Sequence, residues 1–438
     1  MKILSITAGA AGMYCGSCSR DNALAVELLA RGHDVTLLPL YTPTNPDEGN
    51  VSRNRVLFGG ISIYLQQYVP LFRKTPRFLD RLWDAPGVIR AFASRSLSTD
   101  PKMLGDLMVS MLEGDRGVLR KEFDKLLEWL SDEPTPDVVN LPNSLLISLA
   151  KPLRATLNRP ICCTLQGEDL FLDGLIEPYR TTAIELIRRQ VTEVDRFIAV
   201  SDYYVPPMAR LLGVSETQID VVPLGINMQG YQKRTGYTGT PFRIGYFARI
   251  APEKGLHVLA EAYPLFRKRT GNAPVRFEAA GYLSREHEPY LADVKRGLAR
   301  NGLAEEFTYR GAVDRDGKLA FLRTLDALSV PTPYDEPKGV FLLEAMASGV
   351  PVVQPRRGAF TEIVEKTGGG LLVTPDDPGA LAEGLFTLWK DRDLARTLGD
   401  RGFDGVRAHY SIQRSADRLL AVYESLGAQP ARGVAGQR

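Results

Sequence analysis

Residues 334–353 read YDEPKGVFLLEAMASGVPVV: a polar loop, an apolar helix opened by glycine, a glycine-proline stop and the beginning of a Val-rich run. A helix delivered directly into such a run is the repeating unit of a parallel sheet covered by helices. Gly339 leaves room for close approach at the helix N-terminus, where unpaired N–H groups and the helix dipole suit an anion such as a phosphate. Glu336 stands in the loop before that end and Glu344 about one turn inside. Ionised carboxylates offer only acceptors, so such a pair could hold ligand hydroxyls on either side of the phosphate. The same residues also fit an ordinary buried helix ended by Gly349 and Pro351, with Glu344 a solvated charge.

Working outward, the alternation of short apolar runs and amphipathic stretches extends along nearly the whole chain. Strands are expected at 242–248, 275–281, 307–312, 327–332, 351–355 and 370–374 in the second half. In the first half they are expected at 2–7, 33–40, 137–142, 161–166, 196–201 and 219–224. The class is therefore α/β, with one sheet in each half and a ligand cleft expected between the halves. The glycine-rich, aperiodic stretch near residues 226–240 reads as the linker. This gives domains at 1–225 and 226–410, a closing helix at 411–427 and a disordered polar tail at 428–438. Residues 50–135 interrupt the first rhythm with proline-punctuated helical segments and read as an insertion.

The chain has 438 residues, enough for two cores, and 54 basic against 52 acidic side chains. That balance gives no reason to expect a nucleic-acid partner. The cluster FRKTPRFLDRLW (72–83) mixes cations with aromatic residues and leaves peripheral membrane contact open, although a solvated face is the commoner origin of such a pattern. The start, MKILSITAGAAG, reads as a strand running into a glycine loop rather than a signal segment, so a cytoplasmic protein is expected, with the inner membrane face as an option. Four cysteines make no disulfide framework, and no metal site is expected.

A second constellation lies in GYFARIAPEKG (245–255), where a strand ends and Arg249 precedes Lys254 by five residues. Strand C-termini face the ligand crevice in open sheets, and two cations there suit the charge that grows on a departing diphosphate. A solvated helix start is the alternative for Lys254. Together with RGAV (310–313), residues 334–353 and RGAFTEIVEKTGGGLLV (357–373), this segment resembles the family 4 glycosyltransferases of GT-B fold. In the first half, residues 9–35, TLQGED (164–169) and residues 197–227 are similar to the same family more loosely.

The resemblance implies two Rossmann-like domains, a donor held mainly by the second, retention at the anomeric carbon and a metal-independent reaction with no cofactor beyond the nucleotide-diphosphate sugar. It implies that Arg249 and Lys254 clamp the donor diphosphate, that Glu336 faces the sugar and that Glu344 takes the ribose. Gly339 and Val340 would offer backbone N–H groups, Val313 main-chain contacts to the base, and Gly12 or Gly16 close approach from the first glycine loop. Gln166 stands where many relatives carry histidine, and an amide cannot serve as a base, so it is left to positioning, with Asp169 turned toward the acceptor. Lys338 replaces a common aromatic residue and faces either the donor or solvent, and Thr361 replaces a common proline. Sugar and acceptor are not legible.

Three other readings stay on the page. An epimerase or a glucan synthase-like enzyme would share the fold. The YCGSC motif (14–18) places Cys15 and Cys18 at a helix start, as in redox proteins, and a nicotinamide-dependent enzyme would also join a first strand to a helix by glycines. Against the last, the second strand runs into LYTP without the acidic residue that binds an adenosine ribose.

Overall fold

The computed structural model describes residues 1–9, 16–46, 48–53, 56–59, 62–63, 66–67, 101–233 and 240–427. Every expected strand region contains a strand. The first six are β1 Lys2–Thr7, β2 Asp34–Pro39, β3 Val138–Leu141, β4 Ile161–Leu165, β5 Arg196–Ala199 and β6 Ile219–Val221. They pair in the order β2-β1-β3-β4-β5-β6, all parallel. The second six are β7 Phe242–Phe247, β8 Val275–Ala280, β9 Phe307–Tyr309, β10 Ala327–Leu328, β11 Val352–Pro355 and β12 Gly370–Val373. Their order is β12-β11-β10-β7-β8-β9, again all parallel.

Burial explains why these strands read as continuous apolar runs. Helices cover both faces of a parallel sheet, so successive side chains are all removed from water. Every residue of β3, β4 and β11 is buried, including the adjacent Cys162 and Cys163. Helices between strands bury one stripe each. In Arg120–Asp132, Phe123, Leu126 and Leu130 recur at helical spacing and face the first core.

The chain divides into two units, residues 224–414 and residues 1–223 joined by the segment from Ser415 onward. The sequence reading put the boundary near 225–226 and set the last helix apart. Helix Ile412–Gly427 instead contributes to the first unit, where Asp417 meets Arg31 at 2.7 Å and Ser415 donates to the Pro223 carbonyl at 2.5 Å. Of the insertion, helices Pro101–Glu113 and Arg120–Asp132 are described. The basic cluster at 72–83, the glycine loop with Gly12 and Cys15, and the tail at 428–438 lie outside the described residues. Among the described residues no helix is long and apolar enough to cross a membrane.

One consequence of the second sheet's order positions the site. Connections run one way from β7 to β8 and β9 and the other way from β10 to β11 and β12, so the direction reverses between the paired strands β7 and β10. The crevice beyond the C-terminal ends of two such strands is where open α/β sheets bind ligands.

The loops leaving these strands touch backbone to backbone. Gly255 has φ +75°, and a Cβ there would sit 2.0 Å from the Pro331 carbonyl oxygen. Gly255→Ala is therefore expected to destabilise by about 3 kcal/mol through left-handed strain and the clash. Gly297→Ala, inside helix Glu288–Arg300 with nothing among the described residues within 4 Å of the added carbon, is expected to stabilise by about 0.5–1 kcal/mol. Urea unfolding of both variants checks the contrast, and a neutral Gly255→Ala would contradict the close approach.

Candidate active site

After β7 the chain passes Arg249 and makes a tight turn, Pro252–Lys254, before helix Leu256–Thr270 begins. Lys254 thus precedes the helix that the sequence reading had it begin. The turn delivers its ammonium to the loop after β10, where it forms an ion pair with Glu336. Tyr334 completes the contact: its hydroxyl accepts from Lys254 Nζ at 2.9 Å and donates to Glu336 Oε2 at 2.5 Å. The ammonium also lies 5.2 Å from the Tyr334 ring centre and 5.9 Å from that of Phe341.

Glu336 is 1% exposed, so its position is set by what surrounds it. Its second oxygen accepts from the Lys338 N–H at 3.3 Å, and its own carbonyl accepts from the Ala359 N–H at 2.9 Å. Gly358 makes that second approach feasible, since a Cβ there would come within 2.5 Å of the Glu336 carbonyl oxygen. Gly339, with φ +68°, then opens helix Val340–Ala347; its carbonyl accepts from the Leu342 and Leu343 N–H groups, which leaves those of Val340 and Phe341 pointing out of the helix start.

Burial works to raise the Glu336 pKa, but the Lys254 and Lys338 cations and the hydrogen bonds from Lys254 and Tyr334 overcome it and hold the carboxyl at about 2. Burial also pulls the Lys254 ammonium down, against the pull of Glu336, with Arg249 and Lys338 adding to the lowering. At neutral pH the loop therefore carries an ionised acceptor rather than a proton donor.

About one turn inside the same helix stands the second carboxylate. Glu344 is 4% exposed and accepts from Lys318 Nζ at 2.6 Å and from the Tyr231 hydroxyl at 3.3 Å. The solvated reading of Glu344 is thereby excluded. Lys318 comes from helix Arg315–Thr324, capped by Asp314, and Val313 lies in the turn just before that cap.

Other expected residues separate from this cluster. Arg249 pairs with Glu253 at 3.0 Å, half exposed, and reaches Lys254 only as a neighbouring charge. Gly16 is not in the glycine loop but begins helix Gly16–Ala30, with nothing among the described residues within 4 Å of where its Cβ would lie.

In the first unit, Gln166 follows β4, its Nε2 donating to the Pro142 carbonyl at 2.7 Å. Asp169 accepts from the Tyr204 hydroxyl at 2.5 Å, and burial raises its pKa against that hydrogen bond. Neighbouring Glu168, which sequence reading passed over, accepts from the Ser144 N–H and hydroxyl, each at 2.9 Å. Tyr334, Lys318, Tyr231 and Tyr204 were missed as well. Tyr334 stands two residues before Glu336, while the others reach their partners from 26 to 113 residues away with no local motif.

Because the Glu336 pKa lies below the ordinary carboxyl value of 4.5, its stabilisation is fully present above pH 4.5 and is lost as pH falls toward 2. The depression corresponds to on the order of 3 kcal/mol. Denaturant unfolding between pH 2 and 7 is expected to show that loss in the wild type and a shallower acid slope in Glu336→Gln. The variant should also be less stable at pH 7, because it leaves Lys254 buried without its counter-charge. Identical acid slopes would contradict the pairing.

Residues 20–225 match the family described as the glycosyl transferase 4-like domain, and residues 241–391 match the glycosyl transferases group 1. A phosphatidyl-myo-inositol mannosyltransferase of Mycobacterium leprae is 30% identical over 240 residues, covering 52% of this chain and 59% of that protein. The chain thus spans less than two thirds of that relative's length. Among solved structures, the sucrose-phosphate synthase of Thermosynechococcus elongatus superposes with a TM-score of 0.71 at 18% identity, over 98% of this chain and 99% of the other. Anabaena HepE, solved in complex with UDP and glucose, gives 0.67 at 17%, over 97% and 100%. The structural likenesses establish the two-domain α/β GT-B fold. With both halves matched by its two domain families, the chain belongs to the group 1, family 4-type glycosyltransferases.

Proposed function

We propose that the protein transfers a sugar from a nucleoside-diphosphate donor to an acceptor hydroxyl, with retention at the anomeric carbon and without a metal. The observation that carries this is the pair of Lys254 with the buried Glu336 at the reversal point of the second sheet, beside the glycine-opened end of helix Val340–Ala347. An ammonium held in reach of helix N–H groups is suited to a diphosphate whose charge grows as it leaves. The mannosyl transfer in the name of the M. leprae relative, and the UDP and glucose bound by a protein of the same fold, agree with a hexose carried on a nucleoside diphosphate.

In this reading Lys254 turns part of its hydrogen bonding from Glu336 to the diphosphate, with Arg249 adding charge and Gly339 and Val340 adding backbone donors. Glu336 then accepts from sugar hydroxyls. Being ionised at neutral pH, it orients the sugar rather than protonating a leaving group. Glu344, fixed by Lys318 and Tyr231, accepts from the ribose, and the main chain at Val313 meets the base. Lys338, next to Glu336, contributes a further positive charge. Gln166 and Asp169 of the first unit position the acceptor or the sugar. The acceptor hydroxyl enters on the face from which the diphosphate departs, and the leaving phosphate takes its proton, so that no strong base is required. No resident cofactor enters, and the same reading places the enzyme in the cytoplasm.

Thermal-shift screening against UDP, GDP, ADP and their hexose conjugates identifies the donor, since a specific ligand raises the melting temperature. With that donor, Lys254→Ala is expected to lower turnover by about 10²–10³-fold. NMR of the first-formed product is expected to show the donor's own anomeric configuration, and EDTA is expected to leave the rate unchanged. Near-normal turnover by Lys254→Ala, or an inverted product, would end the proposal.

A further inference from the structure

The loop that carries Glu336 is gripped from outside by an arginine, Arg357, that opens the RGAFTEIVEKTGGGLLV stretch without any role having been read for it. Arg357, two residues after β11, donates from Nη1 to the Thr332 carbonyl at 3.3 Å and lies 3.5 Å through Nε from Asp335, the residue before Glu336. Its other contact is Asp376, in the loop after β12, which accepts from Nη1 at 3.1 Å and also from Nη2. One guanidinium thus joins the loops that follow β10, β11 and β12. In the two residues that follow, Gly358 packs against the Glu336 backbone and the Ala359 N–H donates to the Glu336 carbonyl, so side chain and backbone of one short segment fix the same loop.

The exposures show what this contact is for. The Arg357 side chain is 15% exposed, while Asp335 and Asp376 are 60% and 63% exposed. Carboxylates that open to water add little to global stability, because solvent screens the attraction. What the arginine supplies is geometry, a planar fork whose Nη1 and Nη2 take Asp376 while Nη1 and Nε reach back to Thr332 and Asp335, which an ammonium cannot reproduce.

We infer that Arg357 is a positioning residue that holds the Tyr334–Glu336 segment against Lys254. The inference rests on the transferase reading for its meaning, since a slack loop would let Lys254 and Glu336 meet the donor in the wrong register. Its geometry stands without a donor.

Competitive acetylation of the full chain with acetic anhydride, quantified at each lysine by mass spectrometry and run with no ligand present, tests it. Lys254 is expected to react about threefold or more faster in Arg357→Met than in the wild type, because local loosening exposes the amine. Lys318, buried on Glu344 in the same unit, serves as the internal reference and is expected to react at an unchanged rate. Arg357→Lys should restore only part of the protection. If Arg357→Met does not fold, Asp376→Asn decides, as it removes one target and leaves those in the β10 loop: a selective rise at Lys254 supports the inference. Lys254 reactivity equal to wild type in the folded variant, or a rise matched at Lys318, would overturn it. Since no donor enters the assay, this result is separate from the turnover of Lys254→Ala, which judges the transferase reading.

Discussion

A buried carboxylate and a largely covered ammonium meet where two neighbouring strands send their loops in opposite directions, and the arrangement of the second unit follows from keeping them together. Removing either charge from water is costly, and the cost is offset only when both are present with their hydrogen bonds filled. Lys254 brings the charge, Tyr334 fills the remaining hydrogen bonds, and the backbone at Lys338 and Ala359 fixes the carboxylate and its peptide. The requirement reaches into the glycines: Gly255 lets one loop lie on Pro331 and Gly358 lets another lie on Glu336.

The same logic is repeated about one turn inside one helix. Val340–Ala347 spans eight residues, roughly 12 Å, with Glu336 ahead of it and Glu344 within it. Each glutamate is buried and each has a lysine delivered by a different element, Lys254 from the β7 loop and Lys318 from the helix after β9. Two acceptor groups are thereby fixed at either end of an anion-friendly helix start. That spacing suits a ligand with hydroxyls at both ends and phosphate between them.

Much of this was legible in the sequence, for reasons that are physical. Twelve strand regions could be read because burial on both faces makes a parallel strand a continuous apolar run, as in ICCTL and VVQP. Gly339 and the two glutamates could be read because a loop, a helix start and a helix interior impose local residue choices. The partners could not. Lys254 and Glu336 are 82 residues apart, and Tyr231 reaches Glu344 across 113, so their meeting depends on strand order and not on spacing. Arg357 and Tyr204 lie inside segments that resemble the family, yet nothing local marks their contacts, since an arginine after a strand and a tyrosine before a helix are ordinary occurrences. Arg249 shows the converse: its place beside the strand end was read correctly, yet its side chain turns to Glu253, an i,i+4 neighbour that wins by proximity. Gly16 was placed in the first glycine loop by the resemblance, whereas it begins a helix.

The central claim is that Lys254 is the seat of a diphosphate. Isothermal titration with the best-binding nucleoside diphosphate and its monophosphate, on wild type and Lys254→Ala, measures it most directly. The wild type should prefer the diphosphate by about 10–100-fold, the worth of one charge-assisted contact, and the variant should bind both nearly alike. An undiminished preference in the variant would show that the second phosphate lies elsewhere.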